Sequence, residues 1–434
     1  MKIGVIGAGW VGVTTAATLA HLGHDVRCSD INAERVAKLQ KGELTFFEPG
    51  LAELLQSGLQ SGRLMFTADN EAVVGHGEVI FACVDTPPQV DGAADLSQVI
   101  SVARDFAKWH EPESIFVIKS TVPAGTCRKI SHLIAENGAI AGNAMSFFVA
   151  ANPEFLAEST AVRDTLQPSR IVIGADDEQT QQRVRAVFAP MLSTAGNEDL
   201  AIVLTDTASA EIIKCASNAY LANRISFVNE VANYAVAVGA DPFEVARGMS
   251  FDKRIGQVRP GVGFGGGCFP KDVRSLLHEG AAVGVPLTIL EQAAAVNQRQ
   301  RERLFNLLSE ALGGVAGKRI AILGLAFKPN TDDIREAPAM YFIERLLKEG
   351  ANVVMYDPRA GKKMSRQFPQ AELATTLVDA LTAAEAAVAL TEWDEFTQFS
   401  LEEMQKIMSG RLLIDGRGVW SSSSAASLGF DLLR

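Results

Sequence analysis

The chain opens on an apolar run, Lys2–Ile6, that breaks at once into Gly7-Ala8-Gly9-Trp10-Val11-Gly12. This G-x-G-x-x-G spacing, placed after a strand and before the helical stretch Val13–Leu22, leaves few folds open. It is the turn of a strand–turn–helix unit that holds a dinucleotide. Gly7 permits the tight turn, Gly9 lets a pyrophosphate reach the backbone, and Gly12 lets the helix pack closely. The helix N-terminus offers N–H groups and partial positive charge to that pyrophosphate, and Trp10 and Val11 within the turn are read as cofactor-binding residues. Asp30 follows the second apolar run, Asp25–Ser29. A carboxylate there bonds ribose hydroxyls and favours NAD over NADP, although Arg35 nearby counts the other way.

At 434 residues the chain exceeds one ordinary hydrophobic core. Short apolar runs alternate with helical patterns: Lys2–Ile6, Asp25–Ser29, Val79–Val84, Ile115–Lys119, Ser146–Ala150 and Arg170–Ile173 read as strands. From Thr207 to Gly239 the pattern is one long helix, free of proline and of glycine before Gly239. A glycine-dense loop, Pro260–Cys268, and further helix to about Leu312 follow. Strands then resume at Arg319–Leu323, Asn352–Tyr356, Ala386–Leu390 and Leu412–Asp415. The expected class is α/β, with two Rossmann-like doubly wound domains joined by a long central helix. The expected boundaries are 1–206 for the NAD domain, 207–312 for a helical linker and dimerisation region, and 313–434 for the C-terminal domain. Ser421–Ser424 reads as a loop.

A net charge of −11 argues against nucleic-acid binding through bulk charge, so anionic ligands need local cations. No segment reads as membrane-spanning or as a signal peptide. The five cysteines are scattered and odd in number, without a C-x-x-C pair, which fits a reducing cytoplasm and no metal site. His21 and His24 have ligand-like spacing but no third ligand nearby, and read as structural.

Cys268 differs from the other four cysteines. Cys28, Cys83, Cys127 and Cys215 fall in strand or helix patterns and read as buried fillers. Cys268 lies in Gly265-Gly266-Gly267-Cys268-Phe269-Pro270-Lys271-Asp272. Glycines permit close approach of a ligand, and Lys271 favours a reactive thiolate. Lys214 and Asn218 share one helix face, yet a lone lysine is more often a surface residue, here paired with Glu211. Asn152-Pro153-Glu154 reads as a helix start, with Glu154 and Glu158 one turn apart. Asp85-Thr86-Pro87 and Ser120-Thr121 follow strands, where ligands of such sheets gather, but Ser120 or Thr121 could equally cap the next helix.

GAGWVG, EPGL (Glu48–Leu51), STVPAGT, NPEFLAES, KCASNAYLANRISFVNE, FGGGCFPKD and GLAFKPNTDDIREAP together resemble the UDP-glucose/GDP-mannose dehydrogenase family, in the family's order. The resemblance implies oxidation of a nucleotide sugar's C6 alcohol to an acid with two NAD⁺. It implies that Cys268 carries a thiohemiacetal and then a thioester, and that Lys214 and Asn218 stabilise and orient oxyanions. Asp272 would assist proton transfer, Glu154 would be the base of thioester hydrolysis, and Thr121 and Glu158 would organise water and cofactor. Thr86, Lys271 and Arg335 would lie near the cofactor. Phe155, Leu156, Phe264, Gly265 and Lys328 would contact the substrate, as would Arg254, reaching over from the second subunit of a homodimer. Two departures stand out: glycine replaces the usual serine before Cys268, and the Arg254–Cys268 segment is about two residues short. Arg259-Pro260-Gly261 resembles the GDP-mannose branch, while Ala216–Asn229 and Lys253-Arg254-Ile255-Gly256 resemble the UDP-glucose branch. UDP-glucose is the expected substrate and GDP-mannose the alternative.

A non-catalytic nucleotide-binding scaffold would need the glycine turn but no thiol. A simple hydroxy-acid dehydrogenase would stop after one hydride and need no C-terminal nucleotide domain.

Overall fold

The computed structural model describes residues 1–192 and 200–434. The chain divides into two compact units, Met1–Ser217 with Arg274–Ala282, and Asn218–Val273 with Val283–Arg434.

In the first unit, β1 (Lys2–Ile6), β2 (Asp25–Ser29), β3 (Leu64–Thr67), β4 (Val79–Ala82), β5 (Ser114–Ile118), β6 (Phe147–Ala151), β7 (Arg170–Gly174) and β8 (Ala201–Thr205) form one sheet. Its order is β3-β2-β1-β4-β5-β6-β7-β8, and only the β6–β7 pairing is antiparallel. β4 and β5 are buried throughout, as continuous apolar runs must be when helices cover both sheet faces. The strand order reverses between β1 and β4, so the turns after these strands border the crevice where such sheets bind ligands.

In the second unit, β9 (Arg319–Leu323), β10 (Asn352–Tyr356), β11 (Glu372–Leu373), β12 (Ala386–Ala389), β13 (Leu412–Asp415) and β14 (Asp431–Leu433) form an all-parallel sheet. Its order, β11-β10-β9-β12-β13-β14, repeats the doubly wound pattern. The long helix runs from Thr207 to Ala237, and Gly239 beyond it takes a left-handed φ of 79°. Two further helices, Phe269–Ala282 and Thr288–Leu312, follow the glycine loop.

The α/β class with two Rossmann-like sheets and a long central helix is therefore observed. Four edge strands escape the sequence reading: β11 and β14 are two and three residues long, whereas β3 (Leu-Met-Phe-Thr) and β8 (Ala-Ile-Val-Leu-Thr) carry apolar runs that went unassigned. Two local expectations fail. Residues 152–157 are not helical; the next helix starts only at Ala161, so Glu154 and Glu158 are not one turn apart on a helix. Ser422–Ser427 is a short helix capped by Ser421, whose hydroxyl accepts from the Ser424 N–H, rather than a loop.

Candidate active site

The first glycine turn is built as its spacing requires. Gly7 has φ 100° and donates to Ser29 O at 2.8 Å. A Cβ on Gly12 would collide with the Gly7 carbonyl oxygen, whereas one on Gly9 would meet nothing within 4 Å. The backbone at Gly9 is thus open on the side where a pyrophosphate would approach, and the helix Trp10–His21 begins directly behind it. Asp30 is buried; its Oδ2 accepts the Ala8 N–H at 2.8 Å and its Oδ1 the Asn32 N–H at 2.8 Å. Arg35 lies on the same carboxylate at 2.8 Å, with its side chain 37% exposed and so able to swing aside. Cradle, open glycine and carboxylate fit a bound NAD. Thr86 Oγ1 donates to Thr121 O at 2.8 Å, joining the loops after β4 and β5. Ser120 Oγ donates to Val84 O at 2.6 Å. Neither Ser120 nor Thr121 caps the next helix, which starts at Thr126 behind Gly125.

Beside these loops lies a row of buried charge. Lys214 Nζ meets Glu154 Oε1 at 2.9 Å, with only 3% and 7% of the two side chains exposed. Glu154 Oε2 accepts the Leu156 N–H at 2.6 Å. Burial alone would raise the Glu154 carboxyl, but the Lys214 ammonium, the Leu156 N–H and the Lys119 charge outweigh it and hold it below the usual carboxylate range. Lys214 also lies 5.5 Å from the Phe155 ring, which carries the Arg170 guanidinium at 3.9 Å. The surface pairing of Lys214 with Glu211 is not found. Glu211 instead accepts the Gly125 and Cys127 N–H groups at 2.6 and 2.7 Å. Burial and the nearby Glu279 push its carboxyl upward against those bonds.

Glu48, from the EPGL motif, fixes the loop that carries Phe155, Leu156 and the half-buried Glu158. It accepts Trp10 Nε1–H at 3.0 Å and the Ser159 and Ala161 N–H groups at 2.9 and 2.8 Å. Sequence reading identified this motif but not its task. It missed Lys119 and gave Asn152 the wrong one: Asn152 accepts from Lys119 and donates to Val172 O at 2.8 Å, rather than capping a helix.

In the second unit, Cys268 is exposed and immediately precedes the helix Phe269–Ala282. Its carbonyl accepts the Asp272 N–H at 2.9 Å. Asp272, 1% exposed, receives Asn218 Nδ2–H at 2.6 Å and Lys271 Nζ–H at 2.7 Å. Lys271 thus pairs with Asp272. The glycines before Cys268 pack on the segment 327–337: Gly266 N–H donates to Arg335 O at 2.9 Å, and a Cβ on Gly265 would strike Glu336 O. The Arg335 guanidinium lies beside Gly267, where serine was expected. Phe264 N–H donates to Asn297 Oδ1 at 2.7 Å, and Phe264 O accepts from Arg301 at 2.7 Å. Asn229, fully buried, accepts the Gly261 N–H at 2.8 Å. These three anchors escaped the sequence reading. Buried polar residues inside the helical pattern were their only signal. Lys328 lies 5.6 Å from the Phe327 ring. Arg254 is exposed and paired with Asp252 at 2.6 Å.

No helix among the described residues is long and apolar enough to cross a membrane. Comparison with known proteins agrees with the geometry in each part of the chain. Residues 1–192 match the NAD binding domain, 208–299 the central domain and 321–422 the UDP binding domain of the UDP-glucose/GDP-mannose dehydrogenase family. A UDP-glucose 6-dehydrogenase of Bacillus subtilis, YwqF, is 41% identical over 99% of this chain and 96% of its own. One from Pseudomonas aeruginosa is 40% identical over the same shares. The solved UDP-glucose dehydrogenase of Pyrobaculum islandicum superposes with a TM-score of 0.91 at 35% identity, covering 98% of this chain and 96% of that one. Three domain matches in order and close relatives over nearly the whole chain converge on one assignment: the chain belongs to the UDP-glucose/GDP-mannose dehydrogenase family and is an NAD-dependent nucleotide-sugar dehydrogenase.

Proposed function

We propose that this enzyme oxidises UDP-glucose to UDP-glucuronate in the cytoplasm, through a thiohemiacetal and a thioester on Cys268. The observation that carries the mechanism is an exposed cysteine at a helix N-terminus whose first turn holds a buried, doubly bonded aspartate. The Gly7–Gly12 turn, Asp30, Thr86 and Thr121, with Lys271 and Arg335 nearby, would hold NAD⁺, which would supply the hydride acceptor for each of two oxidations. The Cys268 thiolate adds to the aldehyde carbon and keeps the intermediate covalently bound. Lys214 and Asn218 stabilise the oxygen anions that arise on the sugar carbon. Asp272 moves protons through water. Glu154 takes a proton from the water that cleaves the thioester, which returns the Cys268 thiolate and leaves a carboxylate. Thr121 and Glu158 order that water. Phe155, Leu156, Phe264 and Gly265 line the sugar, and Lys328 meets the diphosphate. The named activity of the relatives favours UDP-glucose over GDP-mannose.

The enzyme is read as a homodimer, with the partner's copy of Arg254 reaching the sugar. Tyr220, Phe227 and Tyr234 recur every seven residues on the long helix and are 61%, 54% and 70% exposed, an aromatic stripe that a second copy would cover. Light scattering should return twice the 46.4 kDa chain mass; a monomer would remove the dimer and Arg254's role with it.

The test of the reaction is to count NADH formed per sugar consumed with UDP-glucose and with GDP-mannose. Two NADH per UDP-glucose, and little from GDP-mannose, are expected. With Cys268→Ala, acid formation should fall by about a thousandfold or more. One NADH per sugar would remove the thioester, and two from GDP-mannose would overturn the substrate.

A further inference from the structure

Lys119, directly after β5, has no part in the chemistry above, yet it is a 9% exposed lysine at the edge of the site. Its Nζ donates to Asn152 Oδ1 at 3.1 Å and reaches Asn152 O at 3.5 Å. Asn152 is itself 2% exposed and tied to Val172 O, and two residues further along the chain stands Glu154. Lys119, Asn152, Glu154 and Arg170 line one cavity of about 400 Å³. A buried lysine is costly unless its charge meets an opposite one. The groups facing it are the Glu154 carboxylate, the Cys83 thiol and the Lys214 ammonium. Burial pushes the Cys83 thiol up to about 12 despite Lys119, so that thiol carries no charge at neutral pH. Glu154 is therefore the one anion among them that can balance Lys119.

We propose that Lys119 is a positioning residue for Glu154: clamped on Asn152, its ammonium fixes the strand end that carries this glutamate and adds a second positive charge that keeps the carboxylate a proton acceptor. The proposal rests on reading Glu154 as the base of thioester hydrolysis. Two charges act on Glu154, Lys214 from the long helix in direct contact and Lys119 from the end of β5; Arg170 from β7, across the Phe155 ring, and the Arg163–Asp164 pair line the same cavity. Lys214 also serves the sugar oxygens as the reaction proceeds. Lys119, held by Asn152, is free of that duty; burial draws its ammonium below the usual lysine range, and the Glu154 carboxylate works against that shift.

The test uses the full-length enzyme with NAD⁺ and UDP-glucose. It compares wild type, Lys119→Met, Lys119→Arg, Glu154→Gln and the Lys119→Met/Glu154→Gln double variant. Turnover is followed from pH 5 to pH 9, and acid-quenched protein is weighed to measure sugar bound at Cys268. In Lys119→Met the acid limb of turnover should move up by about one pH unit, a tenfold loss on that limb, with bound sugar accumulating. Lys119→Arg should restore the wild-type limb. In the Glu154→Gln background, Lys119→Met should change hydrolysis little. A folded Lys119→Met with its limb in place, or the same loss in both backgrounds, overturns the proposal. If Lys119→Met does not fold, Asn152→Ser removes the oxygen that holds the ammonium and should move the limb the same way; an unmoved limb is equally fatal. If Glu154→Gln alone neither slows hydrolysis nor accumulates bound sugar, the reading of Glu154 as base has failed instead.

Discussion

The two sheets carry nearly the same turn after their first strand. Gly7 and Gly324 both take left-handed φ, 100° and 89°, and donate to the end of the neighbouring strand, at Ser29 O and Tyr356 O. Asp30 and Asp357 follow that strand, are each 7% exposed, and accept the N–H of the residue after the glycine, from Ala8 at 2.8 Å and Leu325 at 2.7 Å. Beyond this point they part. Behind the first turn a helix starts at once, and among the described residues Arg35 is the one side chain bonded to Asp30. Behind the second, the chain runs without helix until Pro338. Asp357 there also accepts Ala326 N–H, Trp393 Nε1–H, Arg359 N–H and Ala360 N–H at 2.7 to 3.1 Å. The same carboxylate position thus faces a ligand site in one sheet and serves as an internal brace in the other. A Rossmann strand order alone does not make a dinucleotide site; a helix N-terminus directly behind the turn, with a carboxylate at the next strand end, must come with it.

The sharpest way to break this comparison is Gly9→Ala. The added methyl meets no protein atom within 4 Å, so melting should be unchanged while NAD⁺ affinity falls by about tenfold to a hundredfold. Intact NAD⁺ binding would show that the pyrophosphate does not lie over this turn. Next comes the aspartate pair. Asp357→Ala strands five donors in and around a buried turn and should cost about 3 kcal/mol or more, measured by denaturant unfolding, with the KM for NAD⁺ unmoved. Asp30→Ala should do the reverse, raising that KM about tenfold with a smaller stability loss. Equal effects from the two would erase the distinction.

What could be read in the sequence follows the same line. The first turn was legible because its demands are local: glycines at fixed spacing, then a carboxylate at the next strand end. The long helix and both sheets were legible for the same reason. The contacts among Glu154, Lys214, Lys119 and Asn152 were not, because they depend on side chains 33 to 60 residues apart meeting in a buried row. Pro153 after a potential cap suggested a helix; the strand β6, running into that segment, kept Asn152 in extended register, where its amide serves Lys119 and Val172 instead. Strands β11 and β14, two and three residues long, offer too little pattern for any sequence reading.

The smallest expected effect concerns that row rather than the turns. Glu154 is held below its unfolded carboxylate range, so its pairing stabilises the fold above that range and is lost as pH falls through the folded value. Between about pH 5 and pH 3 the wild-type melting temperature should fall more steeply than that of Glu154→Gln. Parallel curves would mean the pair contributes no pH dependence.

The central contention, one dinucleotide site built by the first turn and a second turn closed on itself, is tested most directly by calorimetric titration of NAD⁺ into wild type and Gly9→Ala. One NAD⁺ per chain in wild type, with binding weakened by Gly9→Ala and left intact by Asp357→Ala, is the predicted result. Two NAD⁺ per chain, or binding indifferent to Gly9, would contradict it.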